Sequence, residues 1–536
     1  MKPTKRRFTS LGTVLCASLV LLAACTNGQD TQPAAKAPVK EGDSTLNTSG
    51  LPIVKAPLTL NMLAGQSPLH GEWKDKLLWK EAEKRTGIHI EWTLVPQANL
   101  EEKKNLLLAS GEIPDAFYGG GITSQDMISY GQQGVFLPLN DLIDKYAPNF
   151  KKITQQYPEV LKGITSPDGK IYALPKMSTN PTHRLNNKLF LNQKWLDEGS
   201  LKMPGTPDEL YQVLKAFKAK DAARVPLGGT DIGGIIRTLT GAWGLQNRGS
   251  SNSYLDYNEK TNELRFFPTD PNYKEVLEYV RKLYAEGLLD SEIFTNTVPI
   301  LTAKINKGII GGFPSINTVP AGQKRTDYAG LPQALKGPYG DQLWSGMTSV
   351  LQNQGAFVIT KKDKNPEATM RWADYFIDGE GAVLYWMGVE GKTYEMKDGK
   401  YRFVQDIVNN PNGLTLDQGI SRDLVAPFTT HPIVREERFA WDTGEGLPEV
   451  IQAAKNLQPF APKEIWPAFL YTKEENERMI ALGNDIHTYI FEMQTQFITG
   501  KAPFTKWDEY VTTIKKMGLD EYMKINKAAY DRYKSR

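Results

Sequence analysis

Leu58-Thr-Leu-Asn-Met-Leu63, the segment 75–86 and Ile88-His-Ile-Glu-Trp-Thr-Leu94 follow one another, and reading them decides the fold. The first is a strand candidate. Between Asp75 and Thr86, Leu78, Ala82 and Arg85 fall on one face of a helix, and Gly87 is its stop. The third alternates apolar and polar residues, as a half-buried strand does. The same alternation continues. Asn99 is placed to cap a helix, Glu101 and Glu102 suit its first turn, and Gly111 and Pro114 end it. The short strand Asp115-Ala-Phe-Tyr118 then runs into three glycines. Strands alternating with helices predict an α/β fold with a parallel sheet under helices. Ligands of such sheets sit beyond the carboxyl ends of the strands, here the loops Ala64–Trp73 and Tyr118–Thr123.

Upstream of this alternation lies an export signal. Lys2, Lys5, Arg6 and Arg7 precede an apolar run from Leu11 to Ala24 that ends Leu22-Ala-Ala-Cys25. The run is shorter than the roughly 20 residues a bilayer-spanning helix needs. Residues 1–24 are therefore read as a cleaved signal peptide. The Leu-Ala-Ala-Cys ending resembles a bacterial lipobox, which implies that the Cys25 sulfur carries a diacylglyceryl group. Two acyl chains matter, because one chain alone binds a membrane only marginally. Cys16 would leave with the signal, so the processed chain has neither a free thiol nor a disulfide. Residues 25–55 read as the lipid anchor and a linker rich in Thr, Asn, Gly, Pro and Ala. Thirty such residues reach about 30 Å, at ~5–6 Å × √n.

Four of the 64 basic residues lie in the signal, so the processed chain carries 60 against 61 acidic residues and is nearly neutral. It has no general electrostatic claim on nucleic acid, and its membrane contact is expected through the anchor alone. Its length suggests two or more lobes. His70, His89, His183, His431 and His487 form no metal-binding pair, and the chain has no Walker loop and no Gly-x-Ser-x-Gly elbow.

Several stretches carry a family resemblance. Asn105-Leu-Leu-Leu-Ala-Ser-Gly-Glu-Ile-Pro-Asp115, Gly134-Val-Phe-Leu-Pro-Leu-Asn-Asp-Leu-Ile-Asp-Lys-Tyr-Ala-Pro148 and Asp168-Gly-Lys-Ile-Tyr-Ala-Leu-Pro175 are three. Asn192-Gln-Lys-Trp-Leu196, Gly388-Val-Glu-Gly-Lys-Thr-Tyr394 and Ala529-Tyr-Asp-Arg-Tyr533 complete the set. In this order they resemble extracellular solute-binding proteins of family 1, in particular the large Gram-positive lipoproteins that serve carbohydrate ABC importers.

The resemblance implies a two-lobed periplasmic-binding-protein-like fold (type II, similar to maltose-binding protein) with ligand in the interlobe cleft. The first lobe would take 56–174 and 355–428, and the second 175–354 and a helical 429–536. Crossings are expected near Leu174–Ser178, Gly355–Lys361 and Val425–Pro432. It further implies a monomeric, non-enzymatic receptor on the outer face of the cell membrane, with a carbohydrate ligand and ABC permease subunits as partners. Some members have a calcium loop after the helix matching Glu209–Lys220. Here Lys220-Asp-Ala-Ala-Arg-Val-Pro226 offers only Asp221 as a carboxylate, whereas hard cations take six to eight oxygens, so neither metal nor cofactor is expected.

Sugar rings have apolar faces and hydroxyl rims, which aromatic platforms and polar side chains recognise. Tyr118, Trp243, Phe313 and Trp344, in or beside glycine-rich loops, are the aromatic candidates, each with core packing as its alternative. Gln66, Arg184 and Asn247 are the polar ones. Arg184 serves either a hinge contact or the cleft, where its fork would suit an acidic sugar. Trp79, Trp195, Trp372 and Trp507 read as core. Two other functions stay open: a peptide receptor or ligand sensor on the same fold, and a secreted glycoside hydrolase with carboxylates about 5–10 Å apart.

Overall fold

The computed structural model describes residues 45–47, 49–426 and 429–536. The export signal and Cys25 lie outside them. Nine strands build the two main sheets: β1 (Leu58–Gln66), β2 (Ile88–Pro96), β3 (Ala116–Tyr118), β4 (Leu174–Ser178), β5 (Lys188–Asn192), β6 (Gly312–Ser315), β7 (Tyr328–Gly330), β8 (Leu351–Ile359) and β9 (Val434–Arg435). The helices used below are α1 (Leu77–Thr86), α2 (Leu100–Ser110), α3 (Ser124–Gln132), α4 (Pro158–Ile164), α5 (Pro181–Arg184), α6 (Pro207–Lys220), α7 (Ile232–Thr240), α8 (Pro271–Ala285), α9 (Pro366–Tyr375), α10 (Pro448–Leu457), α11 (Lys473–Thr499) and α12 (Leu519–Ser535).

The first sheet has the order β9-β4-β8-β3-β1-β2. β1 runs parallel to β2 and β3, as the alternation predicts. β8 is antiparallel to both β3 and β4, so the sheet is mixed rather than parallel. The reason is topological: β8 returns from another part of the molecule and enters from the opposite end. Gly87 and Gly111 end α1 and α2 in the left-handed conformation. Period-two side chains feed two cores. Met62, Tyr118 and Phe357 face one, while Leu63, Phe117 and Val358 face the other.

The second sheet is β6-β5-β7, all antiparallel. Leu189 and Leu191 join a large helical core that also takes Leu239, Val280 and Ile490 from α7, α8 and α11. Phe190 turns to the other face, with Phe313, Tyr328 and Ala453. Where Gly330 meets α10, a Cβ would lie 2.3 Å from the Ala453 Cβ, so only glycine fits. The molecule therefore has two α/β bodies, each with its own sheet. Among the described residues no helix is long and apolar enough to cross a membrane.

Two boundaries differ from the sequence reading. Ile53 and Val54, assigned there to the linker, are buried in the first core. The Arg371 guanidinium holds this strap by donating to the carbonyls of Asn47, Gly50 and Ile53. The strap therefore stays on the first body, because two apolar side chains and three carbonyls find partners there. The third crossing also comes later than Val425–Pro432. Val434 and Arg435 are still paired to β4 of the first sheet, and Phe439 is still in its core.

Candidate functional site

Three strands at one side of the first sheet carry the chain between the bodies. β4 leads out to α5 and β5, β8 brings the chain back, and β9 leads out again toward α10. They are hydrogen-bonded side by side. Met177 N–H donates to the Ile433 carbonyl (2.9 Å) and Ser178 N–H to that of Val350 (2.9 Å). Thr179 and Asn180 both donate to the Arg435 carbonyl, at 2.9 and 3.1 Å. Adjacent crossings at one edge are the arrangement of a hinge.

A cluster of charges sits on these crossings. Lys188 is fully buried, and its ammonium donates to the carbonyls of Thr182 (2.9 Å) and Leu185. Burial pulls its pKa down to about 7, against the pull of Glu445. Lys176 donates to the Thr429 carbonyl (2.5 Å), and burial with the nearby Arg435 lowers it to about 8. Glu445 lies 3.4 Å from Arg435 and accepts the Thr443 hydroxyl at 2.8 Å. Burial works to raise the Glu445 carboxyl, but Arg435 and the Thr443 hydroxyl outweigh it, and the carboxyl stays below its ordinary range. His183 is held neutral, its pKa pushed down to about 3 by burial and then by Arg435.

Two polar atoms here have no protein partner. Asn180 caps α5 through Oδ1, which accepts Thr182 N–H at 2.9 Å, while its Nδ2 is buried and unpaired. His183 Nδ1 is also buried and unpaired. Buried polar groups are almost always hydrogen-bonded, so two orphans on one short hinge helix point to a ligand or to water. Arg184 ends the same helix. Its Nε donates to the Thr348 carbonyl (3.0 Å), and it feels the charge of Glu159 on α4, in the first body.

The first body contributes its strand ends. Gln66 Nε2 donates to the Gly71 carbonyl and closes the loop after β1. After β3, Gly119 turns with φ 65°, and a Cβ there would lie 2.6 Å from the His431 ring, which requires glycine. The His431 ring lies 4.3 Å from Tyr118 and its Nδ1 is 2.7 Å from the Tyr385 hydroxyl.

Of the predicted residues, Gln66 and Arg184 lie at the strand ends and the hinge. The others are engaged elsewhere. Tyr118 is fully buried among Trp79, Trp92 and Trp372. Phe313 is buried against Phe190 and Tyr328. Trp243 is buried with its Nε1 on Glu275 (3.1 Å), and Trp344 with its Nε1 on the Asn186 carbonyl (3.1 Å). Asn247 is pinned to the Tyr257 backbone, donating to its carbonyl and accepting its N–H. These five side chains are buried, as are Trp79, Trp195, Trp372 and Trp507. The sequence reading missed Lys176, Asn180, Lys188, Arg435 and Glu445. The only signal was their closeness to the expected crossings.

The turn after α6 does not fit a hard cation. Asp221 Oδ1 accepts Ala223 N–H (2.8 Å), and the carbonyls of Ala222 and Arg224 accept the Lys218 ammonium at 2.8 and 3.1 Å. A lysine thus takes the oxygens that a calcium ion would need. Among the described residues no group of three or more His, Cys, Asp or Glu side chains is placed to hold a metal.

The family model for bacterial extracellular solute-binding proteins matches residues 65–383. The fructooligosaccharide ABC transporter substrate-binding protein FusA of Streptococcus pneumoniae is 28% identical to this chain, over 99% of both. Lipoprotein LipO of Bacillus subtilis is 26% identical over 84% of this chain and 88% of its own. The structure of FusA in complex with kestose superposes with a TM-score of 0.73 at 26% identity, covering 89% of this chain and 99% of that one.

Proposed function

The chain belongs to the bacterial extracellular solute-binding proteins, and on that premise we propose that it captures an oligosaccharide between its two bodies and hands it to an ABC importer. The observation that carries this reading is the hinge: three side-by-side crossings with the unpaired Asn180 Nδ2 and His183 Nδ1 beside them. Neutral donors and acceptors of this kind suit hydroxyl groups, and closure is driven only by contacts that the open form lacks. FusA, similar over the full length, is named for fructooligosaccharide transport, which supports a sugar as the ligand.

We read the first body as residues 45–178 and 351–439, and the second as residues 179–350 and 440–536. The receptor acts as a monomer without catalysis of its own, anchored through Cys25 on the outer face of the membrane. Isothermal titration and small-angle scattering with kestose and a panel of other oligosaccharides test the reading. Heat together with compaction is expected; neither, across the panel, overturns it. Cys25→Ala should release the protein from membranes and leave titrations unchanged. Retention on membranes would refute the anchor.

A further inference from the structure

The second body has a cavity of about 370 Å³ whose lining includes none of the residues of the charge cluster. It is within the range of small-ligand sites. The cavity begins where the chain touches the second crossing. Ser250, on its wall, donates from its backbone N–H to the Met347 carbonyl (2.8 Å), and Ser251 Oγ accepts Ser349 N–H (2.9 Å).

Two wall residues are held in an unfavourable backbone conformation. Gln246 and Tyr254 have φ of 56° and 64°, in the left-handed region that non-glycine residues rarely adopt. Such strain persists only where the surroundings dictate it, and it gathers at functional sites. The surroundings here do dictate it. Gln246 N–H donates to the buried Asp256 carboxylate (2.7 Å), Arg265 donates to both Asp256 oxygens, and Asn247 is tied to the Tyr257 backbone in both directions.

The remaining wall is aromatic and polar together. Tyr254, Phe267 and Phe294 line it, and Phe491 of α11, itself 54% exposed, stands at its side. An exposed phenylalanine with no packing duty suits a stacking platform. Asp231 caps α7 by accepting Gly234 N–H (2.7 Å) and lies 3.6 Å from the Arg237 guanidinium. These are the two charged side chains of the lining, and they neutralise each other. His487 is half-buried, and desolvation lowers its pKa, so it adds no charge at neutral pH.

We propose that this cavity is an extension subsite of the binding cleft, which holds the outer rings of a longer, uncharged oligosaccharide and so sets a preference for chain length. The inference rests on the carbohydrate reading above. Aromatic faces beside hydroxyl and amide groups match a sugar ring, and the Asp231–Arg237 pair leaves the lining with no net charge to attract a uronate.

The test is a titration of the wild type, Phe491→Ala and Ser253→Trp with kestose and the longer fructo-nystose. Matched neutral series of other linkages and oligogalacturonides complete the probes. The wild type should bind the longer neutral chain more tightly. Phe491→Ala, at an exposed position, should weaken that chain about tenfold and affect the shorter one least. Ser253→Trp, which fills the cavity, should act in the same way. Equal losses at both lengths, no loss at either, or tighter binding of oligogalacturonides overturns the subsite. Failure of the wild type to bind any probe instead overturns the carbohydrate reading itself.

Discussion

Glu445→Gln removes the carboxylate that faces Arg435 at the hinge and keeps the shape of the side chain. Arg435, Lys176 and Lys188 would then share a buried region without that counter-charge. Stripping one partner from a buried ion pair costs about 3–5 kcal/mol. Unfolding entropy near ~2.1 cal/mol/K per residue gives about 1 kcal/mol/K for residues 45–536 unfolding together, so the loss corresponds to a fall of about 3–5 °C in Tm. Scanning calorimetry reads this directly. The sign with pH supplies a second readout. The folded carboxyl lies below its ordinary value, so its contribution is present above the unfolded pKa and is lost as pH falls through the folded one. The gap between wild type and variant should therefore close on acidification. A Tm shift under about 1 °C at neutral pH, or a gap that persists in acid, would refute the role given to Glu445.

Lys188 and Lys176 have folded pKa values of about 7 and 8, so between there and 10 the unfolded chain binds more protons and stability should rise with pH. Lys188→Met should flatten that rise in a pH series of Tm values. Arg371→Ala should free the strap 45–57 for protease cleavage near Lys55, with ligand affinity unchanged, because three carbonyls lose their donor. Each orphaned carbonyl costs about 1–3 kcal/mol if it stays dry. Chelator or added calcium should leave Tm unmoved, since Lys218 already occupies the Ala222 and Arg224 carbonyls. Lys218→Ala should lower Tm and loosen this turn to hydrogen exchange.

Local patterns carried the fold well. The alternation at Ile88–Leu94 and the glycines at 87 and 111 mark elements that form as written, because period and cap are properties of a few adjacent residues. The antiparallel β8 was hidden, since nothing within Leu351–Ile359 records that the chain has just come back from another body. The same limit governed the site. Trp243, Phe313 and Trp344 have the composition of sugar platforms, but whether a ring faces solvent depends on elements far along the chain, and each of these meets a distant partner. Lys188 looks like a surface lysine in a strand, and only the fold shows it buried under two carbonyls. Phe491, the exposed ring beside the cavity, sits in an amphipathic helix and has no local mark to separate it from its buried neighbours.

The strap under Arg371 also fixes which half of the molecule carries the tether. Whatever restrains the N-terminal end of the chain pulls on residues 45–57, which Ile53, Val54 and Arg371 hold on the first body. For a receptor tethered as proposed, the first body is joined to the membrane by the linker, and the second is joined to it only through the crossings. Closure then does its mechanical work as a swing of β5–β7 and the C-terminal helices relative to the membrane. Labels on exposed Lys506 and exposed Lys84 would change their separation during ligand capture.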